Sequence, residues 1–159
     1  MNAMKEDVLF QREDEAPEVQ EEIVSSRKYL IFVVDDLRIG LDAEYAVEIL
    51  NGYTVTYLPM MPSYICGIFN MRGQIIPMMD IRLRLGKESL ENSLLVVLNY
   101  NNNHLGILVD AVELMLDIPD ESIMPIPAQS AQKLVSGMCT LPDGLGTMLV
   151  LDCEQLLAP

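Results

Sequence analysis

The chain has 159 residues, of which 50% are apolar and 21% are charged, so it has the length and composition of one globular domain. Its formal net charge of -14 opposes extended contact with phosphate backbones or anionic lipids, which argues against nucleic acid as a partner. No apolar run approaches the roughly 20 residues needed to span a bilayer, and the acidic N-terminus does not resemble a signal peptide. We therefore expect a cytoplasmic protein that does not insert into the membrane.

The N-terminal segment, residues 1–26, differs in composition from the rest of the chain. It carries eight acidic and two basic side chains, and Pro17 argues against a continuous helix. We predict that residues 1–26 form a mobile acidic tail and that residues 27–159 form the folded domain. An alternative is that Val8-Leu9-Phe10 serves as a docking element within this tail.

From residue 27 onward, short apolar and β-branched runs alternate with turn signals, which favours many short strands over long helices. The predicted strands are residues 29–34, 37–41, 54–58, 65–70, 74–78, 94–98, 105–109, 111–116, 134–139 and 147–151. Asp35-Asp36 separates the first two strands and predicts a hairpin.

Three short helices are predicted between these strands, at residues 43–50, 81–85 and 153–157. Asp42 and Asp152 precede the first and the last, and an aspartate there can accept hydrogen bonds from the unpaired amides of the first turn. None of the three is long enough to build a helical bundle.

The chain also contains an approximate internal repeat. Gly40 and Asp80 are separated by nearly the same number of residues as Gly106 and Asp152, and the sequences around them are similar. Two related halves of about five strands each, forming small barrels that close their own edges, would explain this pattern. The alternative is a chance likeness between apolar strands.

Residues suited to nucleophilic catalysis are few. The single histidine, His104, follows three asparagines, and we predict that it is exposed in a hairpin loop. A small hydrolase would require Ser63, Ser136 or His104 to converge. We therefore expect no enzymatic activity.

The sequence also lacks the usual signatures of bound cofactors and metals. Cys66, Cys139 and Cys153 have no CxxC spacing and lie among apolar neighbours, so we predict buried, unreactive thiols. No GxxxxGK[ST] or GxGxxG motif is present. We expect neither a cofactor nor a metal.

Arg72 is the candidate binding residue, because it is the only cationic residue between positions 65 and 79. Gly73 can adopt positive φ and turn the chain, which would place Arg72 at a strand end beside an apolar surface. A guanidinium there suits a partner's carboxylate or amide. The alternative is an ordinary solvated arginine in a turn.

The chain has eleven methionines, whose flexible side chains suit a surface that adapts to a helix. We expect most of them to fill the core. A minority could line a binding groove between the two barrels.

Residues 67–80, which read GIFNMRGQIIPMMD, resemble the signature segment of CheW-like domains. Gly40-Leu41-Asp42 before this segment and residues 106–112 after it match the family in the same order. The likeness covers about residues 28–157 and leaves out the acidic tail. It implies a mainly β fold of two packed SH3-like five-stranded barrels with short helices, and no enzymatic activity.

The resemblance also implies a function and its residues. CheW-like adaptors couple the cytoplasmic tip of methyl-accepting chemotaxis receptors to the regulatory domain of the histidine kinase CheA, at receptor arrays on the inner face of the membrane. Arg72 matches the arginine linked to receptor binding, at the edge of an inter-barrel groove, and Glu48 and Ala46 match positions on its wall. Ala46 is smaller than the valine often found there. The resemblance assigns no residues of this chain to the kinase surface.

Two other functions are compatible with the same family. The chain could act in another chemosensory pathway, such as pilus motility, or could be the regulatory domain of a CheA-type kinase. The sequence encodes no phosphoacceptor helix, ATP site or receiver domain, which favours a free adaptor.

Overall fold

The structure of the protein, a computed structural model, describes residues 25–89, 93–126 and 134–157. The predicted acidic tail, residues 1–26, lies outside the described residues except for Ser25 and Ser26. The strands are β1 Ser26–Val34, β2 Leu37–Asp42, β3 Ala46–Leu50, β4 Ile65–Met71, β5 Gln74–Asp80, β6 Leu94–Tyr100, β7 Asn103–Val109, β8 Ala111–Pro119, β9 Met124–Pro125, β10 Val135–Thr140 and β11 Thr147–Leu151. The helices are α1 Ile81–Arg84 and α2 Cys153–Leu157, with 3-10 turns at Ala43–Tyr45 and Asp120–Ser122.

These strands form two sheets. The first sheet has the order β8-β1-β2-β11-β10-β9, and the second has the order β3-β6-β7-β5-β4. Neighbouring strands are antiparallel except for the pairs β2–β11 and β5–β7, which are parallel. The prediction of a mainly β fold with two five-stranded SH3-like subdomains is confirmed, and β9 adds a two-residue strand to the first sheet.

The two copies of the internal repeat place their equivalent elements on opposite sheets. Each half of the chain has a hairpin, a third strand, a second hairpin and a short helix. Each half of the chain is divided between the sheets: β1 and β2 lie in the first sheet and β3–β5 in the second, whereas β6 and β7 lie in the second and β8–β11 in the first. The predicted repeat is therefore present, but neither sheet is a continuous half of the chain.

The interior consists of three apolar clusters. The largest joins the two sheets and includes Phe32, Leu41, Val96, Ile107 and Leu156. Each sheet also has a cluster of its own on the opposite side. Because both sides of the central strands are buried, β1 and β6 are nearly continuous apolar runs. Each large side chain removed from water contributes about 2 kcal/mol of stability.

The predicted helix at residues 43–50 is wrong beyond its first turn. Asp42 caps a single 3-10 turn, with Glu44 N donating to Asp42 Oδ1 at 3.0 Å, and the chain then continues as β3. The free edge of β6 offers a row of hydrogen bonds to this segment. The β-branched Val47 and Ile49 suit a strand, so tertiary pairing outweighs the local capping signal.

The predicted strand at residues 54–58 is also wrong, because only Thr56 makes a bridge, to Ile68. The segment approaches β4 at this one point, where Thr56 and Ile68 exchange two backbone hydrogen bonds, and the other residues of 54–58 form no ladder. The predicted helices at 81–85 and 153–157 are confirmed as α1 and α2. Asp152 caps α2 as expected, since Gln155 N donates to its Oδ1 at 3.1 Å.

Candidate partner-binding site

Arg72 lies at the tip of the β4–β5 hairpin. Met71 pairs with Gln74, and the two residues between them have positive φ, 53° at Arg72 and 85° at Gly73. Two consecutive left-handed residues form the type I′ turn that matches the twist of a hairpin. Asn70 Oδ1 accepts a hydrogen bond from Gly73 N at 2.8 Å, which fixes the turn. The sequence therefore places the arginine at the end of a short, well-defined hairpin.

The guanidinium of Arg72 contacts an edge strand from the other end of its sheet. Arg72 Nη2 lies 2.6 Å from Glu48 Oε1 on β3, although β3 and β4 are the two outer strands in the sheet order. The sheet must therefore curl round so that its edges approach each other. The Arg72 side chain remains 73% exposed. One oxygen of Glu48 orients the guanidinium while leaving other N–H groups available to a partner.

A cleft of about 420 Å³ opens between these two edges of the second sheet. Arg72 and Glu48 lie on its rim, and its apolar wall includes Leu50, Tyr53 and Phe69. All of the lining residues fall between positions 48 and 72. The cleft that Arg72 borders thus lies within one subdomain, whereas the sequence led us to expect a groove between the two.

The structure separates Ala46 from the other two candidate residues. Arg72 and Glu48 are in direct contact, but Ala46 is half-buried and packs against the core that joins the sheets. Sequence analysis did not identify Val47 and Ile49, which are 47% and 44% exposed on β3. Their apolar, β-branched character was the available signal, and the predicted helix obscured it.

The residues considered for hydrolysis do not converge. Ser63 lines a cleft beside Cys66, whereas Ser136 lines a different cleft beside Cys153. His104 lines neither, and its Nδ1 lies 3.1 Å from Gln74 Nε2. The predicted loop position of His104 is wrong, because it is half-buried on β7 just after the Asn101-Asn102 turn. His104, Ser63 and Ser136 therefore share no cleft.

The three cysteines are free thiols; Cys139 and Cys153 are buried as predicted, whereas Cys66 is only half-buried. Burial is the main cause that raises the pKa of Cys66 to about 11 and that of Cys153 to about 12. Burial also raises the pKa of the Cys139 thiol. At neutral pH these thiols are therefore protonated and weakly nucleophilic.

Two further properties concern the described part of the chain only. Within residues 25–89, 93–126 and 134–157, no three His, Cys, Asp or Glu side chains are arranged to hold a metal ion. In the same residues, no helix has the length and apolar character needed to cross a bilayer.

The fold and the cleft define a β scaffold suited to binding other proteins. Residues 28–158 match the family model described as CheW-like domain. The chain therefore belongs to the CheW-like family, whose members are adaptors of chemotaxis.

Individual members of this family are similar to the chain over most of its length. It is 30% identical over 138 residues to the chemotaxis protein CheW of Klebsiella aerogenes, covering 83% of this chain and 82% of the relative. It is 30% identical over 165 residues to the chemotaxis protein CheW of Helicobacter pylori, covering 94% and 93% of the two chains. The crystal structure of the scaffolding protein TtCheW from Thermoanaerobacter tengcongensis superposes with a TM-score of 0.74 at 26% identity, covering 80% of this chain and 90% of that one.

Proposed function

We propose that this adaptor couples the cytoplasmic tip of a methyl-accepting chemotaxis receptor to the regulatory domain of the histidine kinase CheA. It would do so through separate surfaces, at receptor arrays on the inner face of the membrane. The observation that carries the receptor half is an exposed guanidinium held at the rim of a cleft with an apolar wall.

The geometry of the cleft suits a helical partner. A receptor tip would place apolar side chains against the wall formed by Leu50, Tyr53 and Phe69, while Arg72 donates directed hydrogen bonds to its polar groups. Because Glu48 already orients the guanidinium, Arg72 loses less side-chain entropy when the partner binds. Val47 and Ile49 extend the exposed apolar surface along β3.

The proposal is tested by charge reversal at Arg72. Wild type should bind a receptor signalling fragment and a CheA regulatory domain in separate calorimetric titrations. Arg72→Glu removes the donor and repels Glu48, so receptor affinity should fall about thirtyfold or more, as is typical of an interface arginine. Affinity for the kinase domain should stay within about twofold of wild type, since the two surfaces are separate.

Lys28→Glu is the matched control, because it makes the same charge change on an exposed residue of the first sheet. It should leave receptor binding unchanged. Equal losses of receptor affinity in Arg72→Glu and Lys28→Glu would mean that net charge alone causes the effect. Unchanged receptor binding in Arg72→Glu would remove Arg72 from the proposed site.

A further inference from the structure

The chain crosses between the two sheets at two places, and an aspartate stands at each. Asp42 precedes the turn that leads from β2 to β3, and Asp110 is the single residue between β7 and β8. A crossover belongs to both sheets, so side-chain bonds made there can restrain the angle between them. The two aspartates differ greatly in how strongly they are held.

Asp110 connects groups from both sheets through one carboxylate oxygen. Its Oδ2 accepts from the backbone N–H of Asp35 at 2.6 Å, in the β1–β2 turn of the first sheet. The same oxygen accepts from Arg82 Nη1 at 2.8 Å, on the helix that follows β5 of the second sheet. The backbone N–H of Asp110 donates to Val33 O at 2.9 Å. Three bonds thus converge on one crossover residue.

The partners of Asp110 are themselves fixed in place. Arg82 is only 11% exposed, and its Nε donates to the carbonyl of Glu88. Lys87 Nζ lies 2.9 Å from Asp35 Oδ2, which lowers the pKa of Asp35 and keeps its carboxylate charged at neutral pH. The cluster of Asp35, Arg82, Lys87 and Asp110, called here the crossover clasp, therefore links the first-sheet turn to α1.

At the other crossover, the side-chain hydrogen bonds of Asp42 are to Arg27 of the first sheet and to Glu44 N in the turn, so neither reaches the second sheet. Asp42 contacts the first-sheet Arg27 at 3.4 Å, and the arginine side chain is 58% exposed. An exposed pair of this length is screened by water and contributes little. Both of these residues also lie on the same sheet, so their contact does not join the two subdomains.

We propose that Asp110 is a positioning residue, which fixes the orientation of the two sheets by binding Asp35 and Arg82 at once. Apolar packing in the shared core holds the sheets together but is not directional, so it specifies their angle only weakly. Hydrogen bonds to a charged group are short and directional, and partly buried ones can specify a single arrangement. If the proposed function holds, the clasp also sets the angle between the receptor-binding and kinase-binding surfaces.

The test measures the distance between the sheets directly, without any partner. Spin labels are attached at pH 7 through Ile75→Cys on β5 and Thr147→Cys on β11, two exposed positions on different sheets. A chain without the two added cysteines, labelled in the same way, gives the background from the native Cys66, Cys139 and Cys153. In the otherwise wild-type chain, pulsed dipolar spectroscopy should give one narrow distribution of distances between the two labels.

Asp110→Ala should lose that narrow distance and give a broad or split distribution. Asp110→Asn keeps an oxygen that can accept from Asp35 N and Arg82, so it should restore the narrow one. Asp42→Ala, the crossover control, should also stay narrow. Ile76→Val loosens only the core of the second sheet and therefore controls for reduced stability. Its distance distribution should stay narrow.

A narrow distance in folded Asp110→Ala would overturn the proposal. So would equal broadening in Asp42→Ala or in Ile76→Val. If Asp110→Ala does not fold, Arg82→Met removes only the second-sheet partner and must broaden the distance for the proposal to stand. These outcomes do not depend on receptor or kinase binding, so failure of the proposed function would leave them interpretable.

Discussion

At Gly67, the neighbouring backbone leaves no space for a side chain. A Cβ atom there would lie 2.4 Å from the carbonyl oxygen of Thr56, and φ is +153°. The clash is with backbone, which cannot move aside without breaking the two hydrogen bonds between Thr56 and Ile68. The glycine is therefore required by the close approach of the segment that carries Thr56.

Gly67→Ala should lower the free energy of unfolding by about 2 kcal/mol, through overpacking and backbone strain. Urea denaturation followed by circular dichroism measures this change. Gly52→Ala is the control, because no atom lies within 4 Å of its added Cβ. It should stay within about 1 kcal/mol of wild type, and an equal loss in both variants would contradict the role given to the Thr56 contact.

The sequence predicts the position of Arg72 in the fold better than it predicts the contacts of its side chain. Arg72 next to Gly73 indicated a turn at a strand end, and the structure has Arg72 at the tip of a hairpin. Its contact with Glu48 depends on the curl of the second sheet, which brings together residues 24 positions apart. Composition and spacing along one strand contain no information about how the second sheet curls.

Among the secondary-structure elements, β3 was missed for a physical reason. Residues 43–50 carry a good N-cap and few strong helix breakers, so local propensity favours a helix. The segment instead satisfies its backbone hydrogen bonds on β6, which is distant in sequence. By contrast, α1 and α2 were predicted correctly, because each has a local cap: Asp152 was identified in the sequence, and Asp80 accepts from Arg82 N in the structure.

Helix α2 illustrates how a very short element is held by the core. Five residues cannot form a stable helix alone, since nucleation costs more than so few hydrogen bonds return. Leu156 is 1% exposed and packs in the cluster that joins the two sheets. The helix therefore depends on this side chain.

Leu156→Ala should lower the free energy of unfolding by about 3 kcal/mol, because it leaves a cavity in the shared core. The matched control is Leu83→Ala on α1, where the same side chain is 36% exposed and should cost less than about 1 kcal/mol. Thermal and urea unfolding both measure the difference. Similar losses in the two variants would mean that α2 does not depend on Leu156 burial.

The arrangement of the two sheets could be only partly predicted. Repeated glycine and aspartate positions indicated two related units, and the elements around Gly40 and Gly106 are indeed equivalent. The division of each half between the two sheets, after β2 in one half and after β7 in the other, was not predictable, because the local pattern of each strand suits either sheet. Only the lengths of the crossovers and the packing of the shared core decide between these pairings.

Because each sheet combines strands from both halves of the chain, the folding of separate fragments can be predicted. Residues 1–89 contain β1 and β2 without β8 and β11, and they contain β3 without β6. Residues 90–159 lack the complementary strands, so each fragment exposes sheet edges and half of the shared apolar core. Each fragment alone should therefore lack the far-ultraviolet circular dichroism and dispersed NMR amide signals of the intact domain. Mixed in equal amounts, the fragments should recover both signals, whereas independent folding of either one would contradict the conclusion that each sheet needs strands from both halves.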